Sequence, residues 1–182
     1  NVMAQADRYF EALGGEVGVI ALDAYDGKVA TNREDAGAYM QGADEERIKA
    51  IIGGALDYIG PDAQVATVGW CFGGGWSLKA AIQAEDRANA CVIYYGMPVK
   101  TAAELAPLSA PVLGIFAEKD GWITPEVAQA FEDLAGATNK TVTIQQYNAE
   151  HAFANPSSER YNEEAATAAN ALVMEFFAEQ LK

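Results

Sequence analysis

Hydrophobic residues along the chain fall into two patterns, one typical of buried strands and one of amphipathic helices. Continuous apolar runs at Val17–Leu22, Ala90–Tyr95 and Pro111–Ala117 predict buried strands of a parallel sheet. The β-branched stretch Val65–Gly69 and the alternating stretch Thr141–Tyr147 predict two more, the latter at an exposed edge. The pattern therefore predicts about five strands.

Apolar residues spaced by three and four positions predict helices between these strands, and residues 23–42 are predicted to be a loop. The alternation of strands and helices predicts an α/β fold, a parallel sheet with helices on both faces. The 182 residues suit a single domain, 1–182. The predicted helices are Asn1–Leu13, Asp44–Ile59, Ser77–Ala84, a short Ala102–Leu105, Pro125–Leu134, and one from Ser157 or Ser158 to about Gln180.

The charge of the chain restricts its partners. A formal net charge of −14 argues against nucleic acid and anionic membranes. No apolar run reaches the ~18 residues of a membrane span, and no signal peptide is visible, so we expect a cytoplasmic protein. Any signal peptide would precede the residues given. With two cysteines and one histidine, we expect neither a disulfide framework nor a metal site.

The segment VATVGWCFGGGWSLKAA carries the most informative motif. It predicts a strand, a very tight turn with Cys71 at its apex, and a helix, with Gly69 and Gly73 avoiding clashes around the turn. A thiol at a helix N-terminus is favoured as thiolate, and the N–H of Phe72 is placed to supply half of an oxyanion hole. The alternative is a structural cysteine. We interpret Cys91, in an apolar run, as an inert core thiol.

An acid and a histidine follow two later strands. Asp120 comes after the strand ending at Ala117, and His151, the single histidine, after the strand ending at Tyr147. The order Cys71, Asp120, His151 is the nucleophile–acid–histidine order of α/β-hydrolases. His151 is predicted to move the proton and Asp120 to orient the imidazole. Taken singly, Asp120 could be only a turn-forming acid and His151 a bystander.

Aromatic residues stand beside these three positions in the sequence. Tyr95, Trp122 and Phe153 are predicted to line a largely apolar substrate pocket, and Trp70 is an equal candidate for the pocket or for the core. Core packing is the alternative for the other three as well.

Three segments resemble the dienelactone hydrolase family: VGWCFGGGWSLKAA, FAEKDGWITP and YNAEHAFANPSSERYNEEAA. ALDAYDG is similar to a further segment of that family. The resemblance implies an α/β-hydrolase fold and a Cys-His-Asp triad that hydrolyses small esters or enol lactones through a thioester. It also implies that no metal and no organic cofactor is needed, and that the partner is a small-molecule substrate.

The chain departs from the family in its arginines. Family members hold a substrate carboxylate with one arginine after the D-x-Y segment and another four residues after the histidine. Here Asn155 stands at the second position, and Asp26–Lys28 offers only lysine at the first. Arg33 or Arg160 could substitute, but asparagine does not replace a bidentate arginine. We therefore do not expect the carboxylated dienelactone itself to be a good substrate.

The chain also resembles the family without its first strands, which makes it an N-terminally truncated version of the fold. The missing part would include a strand between Val17–Leu22 and Val65–Gly69, a second oxyanion N–H and a glutamate that holds the resting thiol. Omitting that strand leaves backbone groups unpaired. We expect a truncated sequence, a second chain or N-terminal segment that completes the sheet, or direct pairing of the flanking strands.

The sequence is compatible with two other functions. One is a catalytically incomplete fragment or pseudo-enzyme with a binding role. The other is a class I glutamine amidotransferase, which shares the G-x-C-x-G elbow. That resemblance requires glutamine and glutamate where this chain has Gly75 and Phe153.

Overall fold

The computed structural model describes residues 2–15 and 17–181, except for the side chain of Arg33. The chain divides into two compact units, residues 1–63 and 64–182. The predicted single domain 1–182 therefore stays a prediction.

Three helices make up the regular structure described in the first unit: α1 (Val2–Ala12), α2 (Arg33–Gln41) and α3 (Glu45–Ile59). The prediction of a loop over residues 23–42 is wrong for α2. The side chain of Asn32 accepts a hydrogen bond from the N–H of Asp35, and this N-cap starts a helix whose apolar pattern is weak. Asp44 caps α3 in the same way through the N–H of Arg47.

The strand predicted at Val17–Leu22 is not formed in the described residues. Residues 18–22 have no regular structure, and the side chains of Val19, Ile20 and Leu22 are exposed. A strand needs a hydrogen-bonded neighbour, and the described part of this unit contains no other strand to supply one. The direct-pairing alternative, which requires a strand here, is therefore not what the structure shows.

The second unit contains a parallel sheet in the order β1-β2-β3-β4, with β1 and β4 as the outer strands. The strands are β1 (Val65–Trp70), β2 (Ala88–Tyr94), β3 (Val112–Ala117) and β4 (Val142–Tyr147). The two central strands are almost fully buried, as their continuous apolar runs predict. The parallel sheet of the predicted fold class is confirmed.

The remaining helices are α4 (Phe72–Ala84), α5 (Ala102–Leu105), α6 (Pro125–Ala137) and α7 (Glu163–Gln180). The last helix starts later than the predicted Ser157 or Ser158, because the side chain of Asn162 caps it. No helix in the described residues has the length and apolarity required to cross a bilayer.

Helices cover both faces of this sheet, as predicted. In β2 the side chains of Cys91 and Tyr94 point to opposite faces, because they lie an odd number of residues apart. Ser77 of α4 lies 3.7 Å from Cys91, between Oγ and Sγ. The hydroxyl of Tyr94 donates to Oδ1 of Asn170, in α7, at 3.1 Å. The helices α4 and α7 therefore pack on opposite faces.

Candidate active site

Cys71 lies at the tight turn between β1 and α4, as predicted. Its φ of 55° and ψ of −119° are strained for a residue with a side chain. Its N–H donates to the carbonyl of Tyr94 at 2.9 Å, which ties the turn to the end of β2. The strained turn places the thiol at the N-terminus of α4.

The two glycines around Cys71 have different roles. A Cβ on Gly69 would lie 1.9 Å from the carbonyl oxygen of Gly73, so only glycine fits. A Cβ on Gly73 would meet nothing within 4 Å, so the expectation that both glycines avoid a clash is wrong for Gly73. Another close approach is between Gly74 and Gly96, where a Cβ on Gly96 would lie 2.6 Å from the carbonyl carbon of Gly74.

Asp120 follows β3 and is buried, with 1% of its side chain exposed. Its Oδ1 accepts hydrogen bonds from the N–H groups of Trp122, at 2.8 Å, and Ile123, at 3.0 Å. Its Oδ2 faces His151. The position of Asp120 is compatible with both interpretations, because one oxygen holds the turn and the other faces the histidine; its catalytic role stays a prediction.

His151 joins the acid to the thiol. Its Nδ1 lies 2.6 Å from Oδ2 of Asp120, and its Nε2 lies 3.2 Å from Sγ of Cys71. Burial alone lowers the pKa of His151, but the hydrogen bonds and charges of Cys71 and Asp120 outweigh it, and the pKa is raised above 6.5. The structure thus brings together three residues from the ends of three strands, in hydrogen-bonding order.

Aromatic rings surround the imidazole. The ring centroid of Tyr95 lies 5.1 Å from that of His151, and the centroid of Trp122 lies 5.7 Å from it. Phe153 packs on Tyr95 at 5.5 Å. Tyr95 and Phe153 are 1% and 0% exposed, whereas Trp122 is 53% exposed. The substrate contact predicted for these three residues stays a prediction; in this structure Tyr95 packs on the histidine and Phe153 packs behind Tyr95.

Phe72 is the first residue of α4, and its ring packs edge-on against Trp76 at 6.2 Å. The first N–H groups of a helix point out of its N-terminus, where they can bind an anion. The oxyanion role predicted for Phe72 is consistent with this position and stays a prediction. Trp70 stacks on Tyr94 at 5.5 Å, so it forms part of the packing between β1 and β2.

The backbone is strained at two further residues near the triad, which the sequence does not indicate. Tyr95 has a φ of 36° and Ala152 a φ of 67°, in addition to Cys71. Tyr95 touches the imidazole, and Ala152 directly follows His151. Left-handed backbone at residues other than glycine often marks functional sites. Neither tyrosine nor alanine signals this conformation in a sequence, so only the fold reveals it.

The second cysteine has a different environment. Cys91 is fully buried, and burial raises the pKa of its thiol to about 11. Ser77, beside it, donates to the carbonyl of Val92 at 2.9 Å. The predicted burial of Cys91 in the core is confirmed, and its lack of reactivity stays a prediction.

Of the two arginines suggested as carboxylate holders, Arg160 can be placed, and the cleft that it lines contains none of the triad residues. Arg160 lines an open cleft of about 360 Å³ and lies 3.8 Å from the carboxylate of Glu150. The side chain of Arg33 lies outside what the structure describes. Among the described residues, no group of three or more histidine, cysteine or acidic side chains could hold a metal ion.

Comparison with known proteins identifies the family of this chain. The profile of the dienelactone hydrolase family matches residues 16–181. Carboxymethylenebutenolidase 1 of Cupriavidus pinatubonensis is 30% identical over 84% of this chain and 66% of its own length. Protein usf of Aquifex pyrophilus is 30% identical over the whole chain and 81% of its own length. The dienelactone hydrolase structure from Anabaena variabilis superimposes with a TM-score of 0.59 at 25% identity, over 85% of this chain and 70% of that one.

The chain thus spans slightly less than two thirds of the Cupriavidus relative. The family match nevertheless includes the elbow, the acid loop and the histidine loop. This protein belongs to the dienelactone hydrolase family.

Proposed function

We propose that this protein is a cysteine-dependent hydrolase of small esters or enol lactones, acting through a thioester. The observation that carries the proposal is the chain of contacts from Asp120 to His151, at 2.6 Å, and from His151 to Cys71, at 3.2 Å. Both distances are suitable for proton transfer between side chains. Asp120 also holds the imidazole tautomer that keeps Nε2 directed at the sulfur.

Acylation begins when Cys71 sulfur attacks the carbonyl carbon of the ester, while His151 holds the thiol proton. The carbonyl π pair moves onto the oxygen, and the N–H of Phe72 stabilises that oxyanion. When the tetrahedral intermediate collapses, the bond to the alcohol oxygen breaks. Nε2 of His151 then returns the proton to this leaving oxygen, and the acyl group stays on sulfur as a thioester.

Deacylation uses the same groups in reverse. His151 takes a proton from water, and the hydroxide oxygen attacks the thioester carbon. The carbon–sulfur bond breaks, the carboxylic acid leaves, and Cys71 recovers its proton through His151. The overall reaction consumes one ester and one water, with no redox change.

The substrate that this site favours is uncharged near the reacting carbon. Among the described residues, the rings that touch the imidazole belong to Tyr95 and Trp122, and the side chains that shift the pKa of His151 are Cys71 and Asp120, neither of them cationic. The acidic chain as a whole also repels anions, although salt screens that effect beyond about 10 Å. This supports a neutral ester or lactone over one that carries a carboxylate.

Hydrolysis of p-nitrophenyl acetate tests the proposal. Cys71→Ala and His151→Ala are expected to lose nearly all activity, because no other histidine can serve as the base. Cys91→Ala is the matched control, since its thiol is buried away from the triad, and it is expected to keep its activity. Full turnover by Cys71→Ala, or no turnover by the parent protein, would contradict the proposal and favour a binding role.

Alkylation by iodoacetamide gives a second, independent readout. A thiol paired with His151 is expected to react quickly near neutral pH, because the thiolate is the nucleophile. Cys91 is expected to react far more slowly, because its pKa is about 11 and it is fully buried. Peptide mapping of the labelled protein separates the two sites, and equal slow labelling of both would count against a reactive Cys71.

A further inference from the structure

Trp122 combines exposure with contact to the base in a way that its neighbours do not. Its indole is 53% exposed, although large aromatic side chains are normally buried. Its ring centroid nevertheless lies 5.7 Å from that of His151, at an interplanar angle of 50°. Tyr95 and Phe153 are 1% and 0% exposed, so they offer a ligand almost no surface. Trp122 is thus the aromatic contact of the imidazole that a substrate can touch.

The backbone of Trp122 is also held in place. Its backbone N–H donates to Oδ1 of Asp120 at 2.8 Å, and the backbone N–H of the following Ile123, a residue only 1% exposed, donates to the same oxygen at 3.0 Å. The acid that orients His151 therefore also anchors the backbone that carries the indole. A half-exposed ring on an anchored backbone has only its side-chain torsions to lose when it stacks on a ligand.

We propose that Trp122 is a specificity-determining residue that selects esters with a planar aryl leaving group. This inference rests on the proposed hydrolase function. In that reaction the leaving oxygen receives its proton from Nε2 of His151, so the group attached to that oxygen departs beside the imidazole. The indole flanks the imidazole, and offset or edge-on stacking of an aryl ring against it stabilises that group.

Two acetate esters isolate the effect. Phenyl acetate and hexafluoroisopropyl acetate have the same acyl group and leaving alcohols of similar acidity, but only the first leaves as an aromatic ring. The full protein is expected to favour phenyl acetate in kcat/KM. Trp122→Ala is expected to lower the ratio of the two kcat/KM values roughly threefold to tenfold, the size of an aromatic stacking contribution. Trp122→Phe is expected to retain most of the preference for phenyl acetate.

Tyr161→Ala is the matched control. Tyr161 is another half-exposed aromatic of the same unit, at 41%, whereas the rings that pack on His151 in the described part of the chain are those of Tyr95 and Trp122. We expect this variant to keep the ratio. Competitive inhibition by phenol is a second measurement, and it is expected to weaken in Trp122→Ala and to persist in Trp122→Phe.

The possible failures are distinguishable. If the protein hydrolyses both esters through Cys71 but the ratio is the same in Trp122→Ala, the aryl preference is wrong and the hydrolase function stands. The aryl preference is also wrong, and the hydrolase function stands, if Tyr161→Ala lowers the ratio as much as Trp122→Ala does. If neither ester is hydrolysed, or Cys71→Ala hydrolyses both at the parental rate, the hydrolase function itself is wrong. If Trp122→Ala does not fold, Trp122→Phe and phenol inhibition of the parent protein decide the question.

Discussion

Nδ1 of His151 lies 2.6 Å from Oδ2 of Asp120, while the other oxygen of this carboxylate accepts two backbone N–H groups. This division of the two oxygens fixes the imidazole with Nδ1 as donor and Nε2 facing the sulfur of Cys71. The acid therefore sets which ring nitrogen can take the thiol proton.

Replacing Asp120 with asparagine tests that role. The amide oxygen can keep the two backbone hydrogen bonds, but the NH₂ group then faces Nδ1 and favours the opposite tautomer. By analogy with catalytic triads, kcat is expected to fall on the order of 10²- to 10⁴-fold with little change in fold. Glu118→Gln, on the exposed residue two positions earlier, is the control and is expected to keep its activity. Parental kcat in Asp120→Asn would contradict the assignment.

The titration of His151 gives a second prediction. Because it is the only histidine in the sequence, its imidazole gives a single set of NMR signals. Cys71 and Asp120 raise its pKa, so the midpoint is expected above 6.5, and Cys71→Ala or Asp120→Asn should each lower it. A midpoint below 6.5 in the parent protein would show that burial dominates instead.

The same shift has a consequence for stability. A histidine whose pKa is raised in the folded state stabilises the fold fully at pH values below its unfolded pKa of about 6.5. That contribution is lost as the pH rises through the higher folded pKa of His151. Urea unfolding at a series of pH values should therefore show that His151→Gln loses more stability in mild acid than above neutrality. If the unfolding free energy lost in His151→Gln instead grows as the pH rises, the prediction is contradicted.

The two glycines of the elbow should tolerate alanine differently. In Gly69→Ala the new Cβ would lie 1.9 Å from a backbone oxygen, so the turn must move, and we expect a loss of about 3 kcal/mol or more in unfolding free energy. Gly73→Ala places its Cβ in open space within a helix, and we expect a change of less than about 1 kcal/mol. Chemical denaturation of both variants measures the contrast, and equal effects would contradict it.

Strain beside the histidine predicts a separation of activity from stability. Ala152 has a φ of 67°, which costs about 1–2 kcal/mol for an L-residue. Glycine relieves this strain but makes the unfolded chain more flexible, so Ala152→Gly should change stability by less than about 1 kcal/mol. We expect kcat to fall several-fold with little change in KM, because His151 is held less firmly.

Asn139→Gly is the control for this variant. Asn139 has a similar φ of 54° but lies in the turn after α6, and its replacement is expected to leave kcat unchanged. If Ala152→Gly also keeps the parental kcat, the strained residue does not position the histidine.

The order of strands and helices in residues 64–182 could be predicted from the sequence, because the two central strands are continuous apolar runs and the two outer ones are β-branched or alternating. Cys71, Asp120 and His151 could be named because each lies two to four residues after a predicted strand. The pattern failed at Val17–Leu22, where an apolar run forms no strand in the described residues. It also failed at α2, which depends on the cap at Asn32 more than on periodicity.

Local pattern alone thus determined the strand–turn–helix at Cys71, the class of fold and the identity of the three polar residues. Only the tertiary structure decided that Nε2 of His151 meets the sulfur, that Tyr95 and Ala152 adopt left-handed backbone, and that Trp122 stays exposed while Phe153 is buried. The physical reason is that secondary structure reflects neighbours along the chain. Burial, backbone strain and distances across the site depend on residues that are far apart in sequence.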